Sequence, residues 1–510
     1  MQDAKEAELQ RERLMKQPVA QMELREHEHK YPIGGNLFGC SFFKARYLFA
    51  VLAAVSFAII YGLKVNLSVC IVAMVNQTYI MQEHIMHQHS NDSGSSGHEC
   101  PDDPDVHASS EGQIDEDGPF NWSETQQGLL LGAYFWGYMV SELPGGRMAE
   151  VYSARWVMFT AVAINVLGTV LTPPAAYFHF YCLVALRVLE GIGGGLTFPA
   201  MHVMISHWAP PHDRAVLTAI IYAGTALGTV ISFPLSGVIA GFLGWEWVFY
   251  IMGALASIWL VLWICLIKDT PEQQYFITEE ERNMIMDTTG DRVHHSTRHV
   301  PWKEMFTSMP FYAILVCHFC GNVGWYMLLM QLPSYMKHIL HFPIKKNAGL
   351  SALPYFCMWL FTLILGKTLE ALEDKGVISQ TGYRKIATSI SSLGGGACLV
   401  AVTYVGCNKV AAVTLMTFAV TFMGAMFDGY LGNHIDIAPH FAGTMMAITN
   451  TIATIPGITV PVLVGYLTEG HQTIARWRAI FYGTFGVNIF LFIFYMIFGT
   501  GVEQPWNKID

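Results

Sequence analysis

Leu186 to Ala200 read LRVLEGIGGGLTFPA, inside an apolar run that extends from about residue 176 to 204. A run of this length reads as a membrane-spanning helix, since roughly 20 apolar residues cross the hydrocarbon core of a bilayer. Arg187 and Glu190 break it, three residues apart and therefore on one helix face. On insertion scales an arginine near the bilayer centre costs about 2.5–3.5 kcal/mol, so both groups need a partner, a water-filled cavity or a ligand. Four glycines follow, Gly191, Gly193, Gly194 and Gly195, and give the helix a nearly bare patch suited to close packing.

The same texture extends over most of the chain. Of 510 residues 53% are hydrophobic and 13% charged, against about 25% charged in soluble domains. This excludes a soluble enzyme or a nucleic-acid-binding domain and predicts an all-α integral membrane protein. Spans lie near 46–72, 126–143, 156–172, 176–204, 215–240 and 247–267, then 311–335, 348–367, 386–406, 409–433, 442–467 and 479–500. They divide the chain into a polar tail (1–45), a six-helix bundle (46–267), a charged connector (268–310), a second bundle (311–500) and a short tail (501–510). In the connector, Thr278 followed by Glu279, Glu280 and Glu281 signals a capped surface helix.

Lys and Arg set the orientation. None occurs between Val65 and Gly146, whereas the N-terminal tail, the turn at Arg147 and Arg155, and the connector are basic by comparison. Both termini and the connector are thus expected in the cytosol and the 76–124 loop outside. That loop carries glycosylation sequons at Asn76, Asn91 and Asn121. Its histidines (His84, His87, His89, His98 and His107) read as part of a solvated loop. Cys100 and Cys407 fall on the same oxidising side and are either a pair or separate thiols.

The halves repeat. Gly146, Arg147 and Glu150 after span 2 match Gly366, Lys367 and Glu370 after span 8, both candidate gate loops. Trp245, Phe249 and Tyr250 open span 6 as Trp477, Phe481 and Tyr482 open span 12, and Ala209-Pro210 matches Ala438-Pro439. Two parallel six-helix repeats imply the major facilitator fold.

Charges inside spans nominate the site. Lys64 has no opposite charge at helical spacing in span 1, so it is the candidate anion contact, with an interhelical bridge to Glu190 or Asp428 as the alternative. Arg187 is either a second substrate-binding cation or half of a self-neutralised pair with Glu190. Glu190, His318 and Asp428 are the candidate coupling groups; Glu142 reads as part of the gate cluster. No metal or cofactor motif is present, so the expected ligands are a small anion and a coupling sodium ion or proton.

Tyr61-Gly-Leu-Lys-Val-Asn-Leu-Ser-Val69, Leu143-Pro-Gly-Gly146, Arg187-Val-Leu-Glu-Gly191, Trp208-Ala-Pro-Pro211, Phe233-Pro-Leu-Ser-Gly237 and Asn433-His-Ile-Asp-Ile-Ala-Pro439 resemble the anion–cation symporters, solute carrier family 17. The likeness runs from Tyr47 to Phe498, nearest to the sialin and insect phosphate-cotransporter branches. It implies alternating-access symport of inorganic phosphate or an organic carboxylate such as sialic acid or glutamate, with cationic anchors at Lys64 and Arg187, an acid at Glu190 and a role for His318. Two departures stand out. Lys64 replaces the arginine of the sialic-acid and glutamate branches, turning a bidentate clamp into a point charge. Gly194 replaces an acid those branches associate with proton coupling, so Gly194→Glu is expected to sharpen pH dependence. Arg187→Ala is expected to abolish uptake at intact surface abundance. An uncoupled uniporter or a non-transporting receptor are the alternative functions. The protein is expected to work as a monomer, and residues 1–44 lack an acidic dileucine signal, which favours the plasma membrane over lysosomes or vesicles.

Overall fold

A chain in lipid must satisfy its own backbone hydrogen bonds, so each apolar run folds as a helix. The computed structural model describes residues 44–76, 78, 118–210, 213–293, 300–342, 344–439, 441–470 and 472–507. The first six spanning helices are α1 (Ala45–Met74), α2 (Glu124–Met148), α3 (Ala154–Phe178), α4 (Phe180–Trp208), α5 (Arg214–Leu243) and α6 (Trp245–Leu266). The second six are α7 (Met309–His338), α8 (Ile344–Asp374), α9 (Gln380–Val402), α10 (Lys409–Ile437), α11 (442–468) and α12 (Ile474–Phe498). Eleven of these are long and apolar enough to cross a membrane. The other, α2, falls short because glutamines, glycines, tyrosines and Glu142 dilute its apolar residues. It packs on α4 within its half and on α11 across the interface.

Sequence explains the ends. Ser123 accepts from the Gln126 amide at 3.3 Å while Gln126 Oε1 accepts from the Ser123 amide at 3.0 Å, a reciprocal cap that starts α2. The base of the 76–124 loop is pinned where Asn76 N donates to Phe120 O (2.8 Å) and Phe120 N to Met74 O (3.1 Å). Asn121 is exposed beside it. Asn91, Cys100 and the loop histidines lie outside the described residues. Cys407 is disulfide-bonded. The face that carries this loop is called the loop side below, and the opposite face the terminal side.

The repeats are used alike in both halves. Trp245 and Phe249 are buried and in ring contact at 6.1 Å, as are Trp477 and Phe481 at 5.8 Å. The halves differ in continuity. α10 passes through a π turn at Phe427–Leu431, with Gly429 at a non-helical ψ of −121°, and α11 is interrupted at Thr454.

The halves meet along the centre and the loop side. A methyl group on Gly128 or Gly132 of α2 would run into the Pro461 or Ile458 carbonyl of α11, and one on Gly465 into the Glu124 carbonyl. At the loop end Thr125 donates to Glu469 at 2.6 Å, and Phe233 of α5 meets Tyr355 of α8 at 5.6 Å. These close approaches are possible because glycine removes the side chain from the contact.

The connector is clamped to the first half. Its helix, Glu279–Val293, starts as expected, with the Glu281 amide donating to Thr278 Oγ1 at 3.3 Å. The Glu281 carboxylate turns away from its own helix and accepts from the amides of Ala45 (2.9 Å) and Arg46 (3.3 Å). A carboxylate on the free N–H groups of a helix start satisfies orphan donors and complements the dipole. Arg46 adds an ion pair with Asp213 at 3.1 Å. Glu281→Ala leaves buried amides without acceptors, so it is expected to lower stability by about 1–3 kcal/mol. Thermal unfolding of the purified protein checks this, and Glu281→Gln should recover part of the loss.

Candidate functional site

Two charged sites lie deep in the first half, and they differ in kind. In α4, Arg187 Nη1 donates to Glu190 Oε2 at 2.5 Å, with both side chains almost fully buried. Arg187 Nη2 also donates to the Lys64 carbonyl of α1 at 3.2 Å, and its guanidinium stacks 5.2 Å from the Tyr134 ring of α2. Glu190 points towards α3, where Thr169 donates to it at 3.4 Å and Gly168 leaves room for it. Of the two readings left open by the i, i+3 spacing, the geometry is that of the self-neutralised pair, cross-linking α1, α3 and α4. One atom stays unused: Arg187 Nε is buried without a hydrogen-bond partner among the described residues.

Lys64 is the opposite case. It is 3% exposed, and neither Glu190 nor Asp428 bridges to it. Its ammonium instead sits in a box of aromatic rings, 4.6 Å from Phe135, 4.8 Å from Tyr61, 5.5 Å from Tyr326 and 5.6 Å from both Tyr134 and Tyr138. Ring faces attract a cation, by about 0.5–2 kcal/mol depending on desolvation. They offer no formal negative charge, so Lys64 keeps its capacity for an anion. Tyr326 belongs to α7, so the second half closes the box; it also meets Phe135 edge-on at 4.5 Å.

Glu142 is where the structure departs most from the sequence expectation. It belongs to the bundle interface and not to the gate cluster, because α2 continues through Pro144 to Met148 and leaves it two turns inside the helix. It is 3% exposed, and it accepts from Asn450 of α11 through a short hydrogen bond and from Thr451 at 3.4 Å. Of the gate residues themselves, Gly146 lies against Pro199 of α4, Arg147 is exposed, and the Glu150 side chain lies outside the described residues.

In the second half His318 and His434 are both buried and share Thr449, whose Oγ1 lies 3.2 Å from His318 Nδ1 and 2.8 Å from His434 Nε2. Asn322, one turn from His318, donates to the Ala453 carbonyl at 2.8 Å. His434, in the Asn433–Pro439 motif stretch, is thus a buried member of this network. Asp428 also sits elsewhere than expected. The break in α10 turns it towards α8, where a methyl group on Gly366 would reach its Oδ1 at 2.9 Å. Arg384 of α9 donates to the Asp428 carbonyl (2.7 Å) and, through two nitrogens, to the Asp436 carboxylate at 2.5 and 3.0 Å. Asp428 and Gly366 therefore form a terminal-side cluster with Arg384, apart from Lys64, and Glu370 at the end of the same α8 stretch is exposed.

The glycines of α4 serve contact. Gly191 and Gly195 abut the backbone of α2 at Tyr134 and Tyr138, and Gly193 abuts Asn165 and Ala161 of α3. Gly194 faces the Tyr134 hydroxyl so closely that even a methyl group would overlap it. Glutamate at 194 thus has no space in this arrangement, and the expectation attached to Gly194→Glu becomes one of lost packing.

Similarity to known proteins agrees with this architecture. Residues 65–461 match the Major Facilitator Superfamily. Sialin of Homo sapiens is 38% identical over 91% of this chain and 91% of its own length. Vesicular glutamate transporter 3 of Danio rerio is 35% identical over 92% of this chain and 75% of its own. Among solved structures, a D-xylose–proton symporter superposes with a TM-score of 0.64 at 15% identity, covering 90% of this chain and all of that one, which speaks to the fold alone. The chain belongs to the major facilitator superfamily and, within it, to the solute carrier 17 family of membrane transporters that includes sialin and the vesicular glutamate transporters.

Proposed function

We propose that this chain is a secondary active transporter of a small anion, inorganic phosphate or an organic carboxylate, working by alternating access with sodium or proton coupling. The observation that carries the reading is Lys64: a buried ammonium at the junction of the halves, enclosed by rings and without a hydrogen-bond or carboxylate partner among the described residues. An anion arriving there would meet an unspent charge at a place where both halves contribute. Arg187 stands behind it as a second cation, held by Glu190 until that carboxylate is neutralised. The names of the relatives support anions as cargo.

The test is uptake of radiolabelled phosphate, N-acetylneuraminate and glutamate into proteoliposomes under imposed sodium and proton gradients. Saturable flux of one of them, raised by one gradient, is the expected result. Indifference to both gradients would leave the uncoupled uniporter, and absence of saturable flux the receptor reading. Surface biotinylation of the tagged protein checks the proposed plasma-membrane location.

Lys64→Gln should abolish uptake while leaving membrane abundance and thermal stability near wild type; Lys64→Arg should retain measurable flux. Arg187→Ala is expected to behave differently from its sequence-based forecast. It strands Glu190 as an unpaired buried charge, at a cost of about 3–5 kcal/mol, so abundance should fall along with uptake. Adding Glu190→Gln should restore abundance. Gly194→Glu should lower the unfolding midpoint without sharpening the pH profile of uptake, both readable on the same preparations.

A further inference from the structure

The charges around the anion box balance in a way that singles out one residue. Arg187 and Glu190 cancel each other in direct contact. Lys64 still feels repulsion from Arg187 and attraction from one carboxylate, Glu142, with which it forms no contact ion pair. With the box empty Lys64 and Glu142 offset each other through space. A monovalent anion on Lys64 would leave Glu142 as an uncompensated negative charge in a low-dielectric interface, where such a charge is expensive.

We propose that Glu142 is the proton-coupling carboxylate of this transporter, taking up a proton from the aqueous face when the anion occupies Lys64 and releasing it when the anion leaves. This rests on the anion-transport reading above. Three placements favour Glu142 over the other buried groups. Its hydrogen-bond donors, Asn450 and Thr451, are neutral and come from the opposite half, so a change in its charge alters a bond that joins the halves. Glu190, by contrast, is neutralised inside one half, and Asp428 stands with Arg384 away from the box. Glu142 also lies on the terminal side of Lys64, two turns from the end of α2.

The groups that face Glu142 are few. From α1 come Lys64 and Tyr61, from α2 itself Tyr138, and from α7 Tyr326. α11 contributes Asn450 and Thr451, and α4 packs on this stretch of α2 through the uncharged Gly195 and Leu196. When Glu142 is protonated its oxygens accept less strongly from α11, and the proton becomes a donor within the interface. The co-bound proton therefore keeps the site neutral and loosens the α2–α11 bond in one step.

Glu142→Gln keeps the shape and removes the titration. In proteoliposomes with radiolabelled phosphate and N-acetylneuraminate, accumulation driven by an imposed pH gradient should fall at least tenfold more than counterflow exchange of the same label. Equal losses in both, or an undiminished pH drive, would overturn the proposal. So would a pH drive lost in Glu190→Gln and kept in Glu142→Gln, or accumulation driven by sodium alone. A second measurement does not need flux: the infrared difference spectrum of the purified protein between acid and alkaline buffer should contain a protonated-carboxyl band that Glu142→Gln lacks. Persistence of that band overturns the assignment to Glu142. Its loss, in a wild-type protein that carries neither label, supports the assignment and places the failure with the transport reading.

Discussion

A guanidinium with nowhere to reach water organises the first half of this transporter. Arg187 must spend its charge on Glu190 and on the Lys64 carbonyl, and in doing so it fixes the distance between α4 and α1. Glu190 in turn reaches α3 through Thr169. Water cannot substitute for any of these partners in a bilayer interior, so the helices come together as their polar groups are paired. The glycine patch that follows Glu190 permits the approach: without side chains at Gly191, Gly193 and Gly195, α4 lies directly on the backbones of its neighbours. Charge pairing and bare surface are adjacent in sequence because they perform one task, bringing α4 close enough for a short ion pair to form.

With that pair satisfied, Lys64 is left as the exceptional cation. Aromatic rings hold an ammonium without neutralising it, so the box supports a positive charge that a ligand can still use. The second half enters through Tyr326 on the box and through Asn450 and Thr451 on Glu142. The centre is thus a contact between halves in which each contributes polar groups and the first holds the formal charges.

Much of this was legible in the sequence, for reasons that can be named. Apolar runs and their lengths placed the spanning helices, and the i, i+3 spacing of Arg187 and Glu190 placed them on one face. What escaped depended on helix ends and breaks. Glu142 looked terminal because Leu143, Pro144 and the glycines after it suggest a turn, whereas the helix continues through them to Met148. Asp428 looked central because a regular helix would carry it inward; the break at Gly429 directs it to α8 instead. The aromatic box was hidden for another reason. Its rings come from three helices, and periodicity within one helix says nothing about which neighbour it will face.

The π turn at Ile390–Gly394 of α9 and the breaks in α10 and α11 have a mechanical consequence. Among the described spanning segments these three breaks fall in the second half, whereas in the first half a π turn lies only at the α2–α3 junction, Ala149–Ser153. A π turn or a break in the hydrogen-bond ladder is where a helix bends. Interior prolines occur in both halves, among them Pro144, Pro199 and Pro234 in the first and Pro333, Pro354 and Pro461 in the second, so the breaks of α9 to α11 are bend points added to the second half alone. The cation that would grip the cargo sits on α1, which has neither a proline nor a break, and the broken helices lie in the other half. Such a molecule would register occupancy as curvature in α10 and α11, so that the half that brings no charge to the box is the one that reports what the box holds.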